Sequence, residues 1–301
     1  MSLERSATIV ATFTAALLAI VKFIVGALSG SIAVMASAID SLLDLLVSMF
    51  NYIAITNSEK PADGKFNYGR GKFEAMASFI EGAVISGSGL FILYESIKKL
   101  ALSEAVINVD ISIYVMIFSF IVTTILVLFL NYVAKKKNSL VIKSDALHYK
   151  TDMYTNGGVL ITLFVVQFTD FHAIDGIVGA MIALYIIYSA SSLIKESFFM
   201  LTDRALDDSM VEEIENIITS QKKISGYHYL KTRRSGNNYF LDVHLVFNRD
   251  MLLVDAHSVS DAIEEEVSKL GDENTKWNFN VHLDPCDDSD DRSLLPSKSP
   301  K

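Results

Sequence analysis

The sequence has almost no cysteine and no concentration of basic residues, and each absence excludes a class of protein. Cys286 is the single cysteine among 301 residues, so the chain can form neither an intrachain disulfide nor a cysteine zinc cluster. A lone thiol fits a C-terminal region in a reducing compartment. The formal net charge of -9 argues against nucleic acid, which requires a concentrated basic surface. We therefore expect neither a disulfide framework nor a nucleic-acid partner.

Sequence signatures of enzymes are also missing. The chain contains no nucleotide-binding loop, no serine-nucleophile elbow and no H-E-x-x-H zinc motif. A membrane enzyme that uses a metal for hydrolysis stays open as a minor alternative, because sites made of carboxylates and histidine can be catalytic. The expectation is a protein that is not an enzyme.

Long hydrophobic runs dominate what is present. Hydrophobic residues make up 51% of the chain and the mean hydropathy is +0.35, which soluble proteins seldom reach. Several runs attain the roughly 20 apolar residues that span a bilayer. The first run is too long for a signal peptide and no cleavage pattern closes it, so it reads as a spanning helix. Six spans are predicted, at about Ala7–Leu28, Ile32–Ile55, Phe73–Ile97, Ile107–Val133, Leu140–Phe168 and Ile174–Ile194.

Lysine and arginine in the short loops predict the orientation of these spans. The opposite loops hold only Lys98 and Lys99. The loops between spans two and three and between spans four and five hold eight basic residues: Lys60, Lys65, Arg70, Lys72, Lys135, Lys136, Lys137 and Lys143. Because basic loops stay on the cytoplasmic side, both of these loops and both termini are predicted to be cytoplasmic.

After Asp203 the composition changes and a smaller domain is predicted. Amphipathic helices and alternating strands follow in the order α-β-β-α-β, at Asp207–Ser220, Gly226–Thr232, Tyr239–Phe247, Val254–Leu270 and Trp277–Leu283. That order predicts a small α+β sandwich. The chain is thus divided into a six-span all-α transmembrane domain (1–204), a cytoplasmic α+β domain (205–286) and an acidic tail (287–301) that is predicted to be disordered.

Two predicted spans carry a stripe of polar residues on one helix face. The stripes consist of Ser37, Asp40, Asp44, Ser48 and Asn51 in the second span, and of Asp145, His148, Asp152 and Asn156 in the fifth. A carboxylate in the middle of a membrane costs about 2.5–3.5 kcal/mol or more, so we expect the stripes to face each other across a wet cleft. The motifs D-S-L-L-D and H-Y-K-T-D then contribute four residues that can surround one ion: Asp40, Asp44, His148 and Asp152.

The residue types limit which ion these four can hold. Carboxylates with one imidazole suit Zn(II) or Fe(II) and also admit Cd(II) or Mn(II), whereas calcium prefers more oxygens and no histidine. Metal binding requires histidine to lose its proton, so exchange of cytoplasmic metal for external protons by alternating access is expected. Two alternatives are polar groups that only bond helices together or relay protons, and a channel or sensor that binds metal without pumping.

Four of the six histidines fall in the predicted C-terminal domain, namely His228, His244, His257 and His282. Asp284 follows His282 by two positions, so both project from the same face of a strand. His244 alternates with apolar residues and is expected to face away from the core. This pattern predicts a second metal site, one that could bridge two chains. The alternative is a set of solvent-exposed or hydrogen-bonded histidines.

Taken together, the motifs resemble the cation diffusion facilitator family, most closely its bacterial ferrous-iron and zinc efflux branch. They are D-S-L-L-D at 40–44, P-A-D-G-K-F-N-Y-G-R-G-K-F-E at 61–74, S-G-S-G at 86–89, H-Y-K-T-D at 148–152, L-T-D-R-A-L at 201–206 and H-L-D-P-C at 282–286. The resemblance implies a homodimeric exporter in the bacterial inner membrane, with a ferredoxin-like, metallochaperone-like cytoplasmic domain. It implies a transport site of Asp40, Asp44, His148 and Asp152. It also implies a structural zinc pair at the dimer interface, bound by His228, His244, His257, His282 and Asp284.

One departure from the family concerns the loop between spans two and three. The family often has a site there made of one aspartate and two histidines. Asp63 remains, but Phe66 and Arg70 occupy the histidine positions, so we expect this site to be absent or much weakened. Glu81 is acidic where relatives are neutral, and it is expected to bond to a neighbouring helix, with tuned protonation as the alternative.

The resemblance also implies a contact between the two subunits. Lys72 and Asp203 stand at the cytoplasmic ends of spans three and six. They are expected to pair across the dimer.

Overall fold

Six long helices form the N-terminal part of the protein. The computed structural model describes residues 2–29, 32–102, 110–169, 173–272 and 274–287. Within these ranges the long helices are α1 (Leu3–Ser29), α2 (Ile32–Ser58), α3 (Lys72–Leu102), α4 (Asp110–Lys137), α5 (Leu140–Thr169) and α6 (Ala173–Leu201). The prediction of a six-helix transmembrane bundle is confirmed. The predicted start of the fourth span at Ile107 lies outside the described residues.

Five of these helices are long and apolar enough to cross a bilayer, namely α1, α2, α3, α4 and α6. The remaining one, α5, is 30 residues long, but its first half carries Lys143, Asp145, Lys150 and Asp152. Apolar side chains in this first half of α5 are buried in a hydrophobic cluster to which α1 and α4 also contribute. A helix that bears such charges can lie at membrane depth because its neighbours shield it from lipid.

Small residues allow the long helices to approach one another closely. Ala7 and Ala11 of α1 are fully buried in the same core as Leu130 and Tyr149. On α3, a methyl group added to Gly82 would lie 2.8 Å from Cγ1 of Ile194 on α6. Gly82 thus packs directly against the Ile194 side chain, which would have to shift to admit a larger residue at this position.

The C-terminal part is a three-stranded sheet with two helices. Its elements are α7 (Asp208–Thr219), β1 (Gly226–Ser235), β2 (Asn238–Val246), α8 (Leu253–Ser268) and β3 (Lys276–Asp284). The predicted order α-β-β-α-β is confirmed. The strands lie in the order β1-β2-β3, with β1 antiparallel to β2 and β2 parallel to β3. The parallel pair arises because α8 carries the chain back across the sheet before β3 begins.

One face of the sheet forms the core of this part. Leu241, Val243 and Leu245 of β2 are buried together with Ile214 of α7 and Ile263 of α8. Because successive side chains of a strand alternate between faces, the residues between them project from the opposite face. His244 is one of these, as its position in the sequence predicted, and the second candidate metal site lies on that face.

The chain separates into two compact units, the first ending at Phe199 and the second beginning at Met200. Of the predicted disordered tail (287–301), only Asp287 is among the described residues.

Candidate metal sites

Three of the four predicted transport ligands come together between α2 and α5. Nε2 of His148 lies 3.0 Å from Oδ1 of Asp44, and donor atoms of Asp44, His148 and Asp152 all lie within 4.8 Å of one another. The side chains of His148 and Asp44 are 15% and 19% exposed, so the group is largely withdrawn from the surface while still reachable. One ion could contact all three residues, which we call the transport cluster.

Asp40 occupies a different position. It lies one helical turn before Asp44 on α2 and is exposed. Among the described residues, those whose donor atoms lie close enough together to share an ion are Asp44, His148 and Asp152. The structure therefore does not place Asp40 with the other three. A role for Asp40 as the fourth ligand stays a prediction.

The donor set of the transport cluster suits a divalent transition-metal cation. Two carboxylates and one imidazole are ligands for Zn(II) and Fe(II). Closed structural zinc sites have four protein ligands, whereas a set of three keeps at least one position open. The transport cluster therefore leaves at least one coordination position of a bound cation open to water or to a further ligand.

Neighbouring side chains hold the transport cluster in place. The Tyr149 hydroxyl lies 2.7 Å from Oγ of Ser48 and donates to the carbonyl oxygen of Ala11 at 3.4 Å. Tyr149 follows His148 in α5 and is 1% exposed. These bonds tie α5 to α2 and α1 beside the cluster, and so restrict how the His148 ring can be displaced.

A second buried polar group lies one turn along α5 from His148. The side-chain amide of Asn51 donates to Oε2 of Glu81 at 3.0 Å and to Oδ1 of Asp145 at 3.3 Å, and the Ser144 hydroxyl also donates to Glu81. Glu81 and Asp145 are both buried. Glu81 thus bonds to two neighbouring helices, α2 and α5, as expected from its position in the third span.

Lys22 is a candidate that the motif patterns do not reveal. It lies in α1 and is 8% exposed, and its ammonium donates to Oγ of Ser41 on α2 at 2.8 Å. Its signal in the sequence is a lysine inside the first apolar run. Ionisable residues within a span are functional candidates by default.

In the C-terminal unit, three histidines occupy one row of the sheet. His228 of β1 pairs with His244 of β2, and His244 pairs with His282 of β3. The ring centroids lie 5.0 Å and 4.7 Å apart. A bulge follows His228, where Tyr229 adopts a φ of 52°. Bulges of this kind commonly redirect side chains next to functional sites.

Asp284 is the common partner of these histidines. Its Oδ2 lies 3.2 Å from Nε2 of His228 and 2.9 Å from Nδ1 of His244, and its Oδ1 lies 3.0 Å from Nε2 of His282. Donor atoms of His228, His244 and Asp284 lie within 4.8 Å of one another. We call these three residues together with His282 the histidine row.

His257 lies apart from the histidine row. It is exposed on α8, where its Nδ1 lies 3.6 Å from Oδ1 of Asp261 in the same helix. Asp203 of the same unit lies 3.5 Å from Nη1 of Arg233. The pairing of Lys72 with Asp203 across a dimer, and the participation of His257 in a zinc pair, stay predictions.

The remaining candidate, Asp63, lies in the loop between α2 and α3 and is engaged in interactions within that loop. Oδ1 of Asp63 accepts hydrogen bonds from the backbone of Lys65 at 2.8 Å and of Phe66 at 3.0 Å, and its other oxygen pairs with Arg70. The two backbone N–H groups, with Arg70, hold the pKa of Asp63 below its usual value. A carboxylate engaged in this way beside a guanidinium is poorly suited to bind a cation.

Comparison with known proteins places both units in one family. The family model described as the cation efflux transmembrane domain matches residues 8–202, and the one described as the cation efflux protein, cytoplasmic domain, matches residues 206–286. The chain is 35% identical to the cation-efflux pump FieF of Salmonella paratyphi A over 284 residues, which cover 94% of this chain and 93% of that protein. It is 34% identical to FieF of Salmonella schwarzengrund over 299 residues, which cover 99% of this chain and 96% of that protein.

Proposed function

Because the chain belongs to the cation efflux family, we propose that it exports Zn(II), Fe(II) or both from the cytoplasm in exchange for protons, with Cd(II) as a further candidate substrate. The observation that carries this proposal is the transport cluster, in which His148 of α5 lies 3.0 Å from Asp44 of α2 and Asp152 completes the group. A protein that moves divalent cations across a membrane requires such a group inside its helical bundle.

Competition for the same donor atoms provides the coupling. A divalent cation binds the imidazole nitrogen and the carboxylates of the transport cluster only when they have released their protons. Protons that arrive from the outer side therefore displace the metal, and metal that arrives from the cytoplasm displaces protons. One proton gradient can in this way drive repeated cycles of metal release.

The position of the transport cluster fits alternating access. Its ligands come from two helices, Asp44 from α2 and the other two residues from α5. A change in the separation or tilt of these helices would dismantle the cluster and open it toward one side of the membrane. The three-ligand set keeps the energetic cost of that step moderate, because water can occupy the positions that protein ligands vacate.

A structural metal is proposed for the C-terminal unit. The histidine row offers three imidazoles around one shared carboxylate, Asp284, and this donor set suits Zn(II). Bound zinc would supply positive charge that neutralises Asp284 and would cross-link the three strands. The match to a cytoplasmic domain of the family supports a homodimer in which the C-terminal units associate in the cytoplasm.

Location and orientation follow from the same proposal. The five long apolar helices support a multi-pass protein, and we propose the bacterial inner membrane. The basic residues clustered at the α2–α3 and α4–α5 connections support a cytoplasmic location for these connections and for both termini. In this orientation the first half of α5, which bears His148, lies nearer the cytoplasm.

Flux into proteoliposomes tests the proposal. The purified protein is reconstituted into liposomes, and a pH gradient is imposed with the lumen either more acidic or more alkaline than the outer solution. Uptake of Zn(II), Fe(II), Cd(II) and Mn(II) is then measured for each metal alone and in competition. We expect accumulation against the metal gradient that depends on the direction of the pH gradient, and its loss in Asp152→Ala. Uptake that ignores the pH gradient would contradict proton exchange.

The same assay separates the alternatives. A stronger flux of Mn(II) than of Zn(II) would identify a manganese-preferring exporter, a possibility that the two carboxylates of the transport cluster allow. Metal that equilibrates without accumulating would identify a channel. Binding with no flux would identify a sensor.

A further inference from the structure

Lys22 is a buried cation that belongs to neither candidate metal site. It is 8% exposed within the membrane helices, and its ammonium donates to the hydroxyl of Ser41 at 2.8 Å. Burying an ammonium is costly unless an opposite charge compensates it. The hydroxyl of Ser41 is neutral, so the compensating charge has to come from elsewhere.

The carboxylates of the neighbouring aspartates are the source of this charge. Ser41 directly follows Asp40 and precedes Asp44 by three residues, so the hydrogen bond anchors Lys22 at the same turn of α2 that carries these two aspartates. The carboxylates of Asp44, Asp152 and Asp40 all interact electrostatically with the Lys22 ammonium. Lys22 is therefore a fixed cation at the edge of the proposed cation-binding site.

We propose that Lys22 is a built-in counter-cation of the transport cluster, a positioning residue that limits how tightly a metal ion is held. The inference rests on the proposed export function. When no metal is bound, the ammonium offsets part of the mutual repulsion of the carboxylates and keeps them close together. When a metal binds, the same ammonium repels it and favours its release.

A purely structural role for Lys22 makes a different prediction. If the ammonium only held α1 against α2, its removal would lower the stability of the bundle and slow transport without strengthening metal binding. A counter-cation, by contrast, weakens metal binding in the native protein. The direction of the change in KM therefore distinguishes the two roles.

Zinc flux in proteoliposomes containing the full-length protein tests the inference. For Lys22→Met, which removes the charge and keeps much of the side-chain volume, we expect the KM for Zn(II) to fall at least about tenfold and the maximal rate to fall as well, because release becomes slow. Lys22→Arg keeps the charge and is expected to restore both values toward those of the native protein. An unchanged or raised KM in Lys22→Met, or an Arg variant that behaves like the Met variant, would overturn the inference.

Ser41→Ala provides a second, smaller change in case Lys22→Met does not fold. This variant keeps the ammonium but removes its hydrogen-bond acceptor, so the charge is free to move toward the carboxylates. We expect the KM for Zn(II) to rise, opposite to the effect of Lys22→Met, and an unchanged KM would count against the inference. A native protein that moves none of Zn(II), Fe(II) and Cd(II) would instead refute the export function.

Discussion

Nε2 of His148 lies 3.0 Å from Oδ1 of Asp44, and this contact joins α5 to α2 in the interior of the bundle. The imidazole contributes the one nitrogen of the transport cluster. Removing it leaves two carboxylates, a set that binds Zn(II) more weakly.

For His148→Gln we expect the rate of Zn(II) transport at subsaturating metal to fall by more than about tenfold, since loss even of outer partners of a metal costs about 10–100-fold. Initial uptake rates in proteoliposomes measure this effect. Tyr188→Phe, at an exposed position of α6, is the control. His148→Gln transporting at the native rate would show that the cluster is not the transport site.

Asp44 and Asp40 form a matched pair on one helix. Asp44 lies in the transport cluster, whereas Asp40 is exposed one turn earlier. If this arrangement holds during transport, Asp44→Asn raises the KM for Zn(II) by at least about tenfold more than Asp40→Asn does. Equal losses in the two variants would mean that Asp40 enters the site during the transport cycle, as the motif D-S-L-L-D predicts.

The spacing of polar residues along the sequence was sufficient to predict much of this site. A repeat of three and four residues identifies the shared face of a helix, and the cost of charge in a membrane brings two such faces together, which places Asp44 near His148. The same spacing does not determine how deeply a residue is buried, so the exposure of Asp40 could not be foreseen. The partnership of Lys22 with Ser41 depends on how α1 packs against α2, which no local pattern records.

In the sheet, alternation along β2 was sufficient to predict that His244 faces away from the core. It could not predict that His228, His244 and His282 share one row, because the register of β3 on β2 is determined by the connection through α8. The central position of Asp284 follows from that register. Strand identity was thus readable from the sequence, while the assembled site required the tertiary pairing.

The buried polar group around Glu81 predicts that substitutions of Asn51 and of Glu81 change the stability of the protein in different directions. Asn51 donates to both Glu81 and Asp145. Asn51→Leu leaves two buried carboxylates without this donor and is expected to lower the free energy of unfolding by about 1–3 kcal/mol. Glu81→Gln removes a buried ionisable group but keeps an acceptor oxygen, so we expect its melting temperature to equal or exceed that of the native protein.

Thermal unfolding of the detergent-solubilised protein measures both variants. Ser144→Ala, which removes the other donor to Glu81, is the matched control and should lie between them. A Glu81→Gln variant less stable than Asn51→Leu would show that the charge of Glu81, rather than the hydrogen-bond network, stabilises the bundle.

The interactions of the loop residue Asp63 predict that the stability of the loop depends on pH and that substitution of Asp63 does not change metal binding. Its folded-state pKa is lowered by the N–H groups of Lys65 and Phe66 and by Arg70, so its contribution to loop stability is present above its unfolded pKa and is lost as pH falls through the folded value. We expect protease cleavage of the loop to accelerate below about pH 4 in the native protein, and Asp63→Asn to be cleaved faster already at pH 7. The Zn(II) stoichiometry of Asp63→Asn should equal that of the native protein, and a loss of one bound ion would establish a metal site in the loop.

The histidine row predicts that zinc stabilises the C-terminal unit through Asp284. Trp277 is the single tryptophan of the chain and lies in β3, stacked on Phe279, so its fluorescence reports the unfolding of this unit alone. Zinc at about 100 times its dissociation constant should stabilise the native protein by about 2.7 kcal/mol. Asp284→Asn should lose most of this gain, because Asp284 contacts all three imidazoles of the row.

His257→Ala is the informative comparison for this measurement. His257 is exposed and lies apart from the row, so within one subunit it should leave the zinc-dependent stabilisation unchanged. If His257→Ala loses as much as Asp284→Asn, a second subunit must bring His257 to the metal, and the loss should then depend on protein concentration. Zinc that stabilises Asp284→Asn as fully as the native protein would show that the row does not bind the metal.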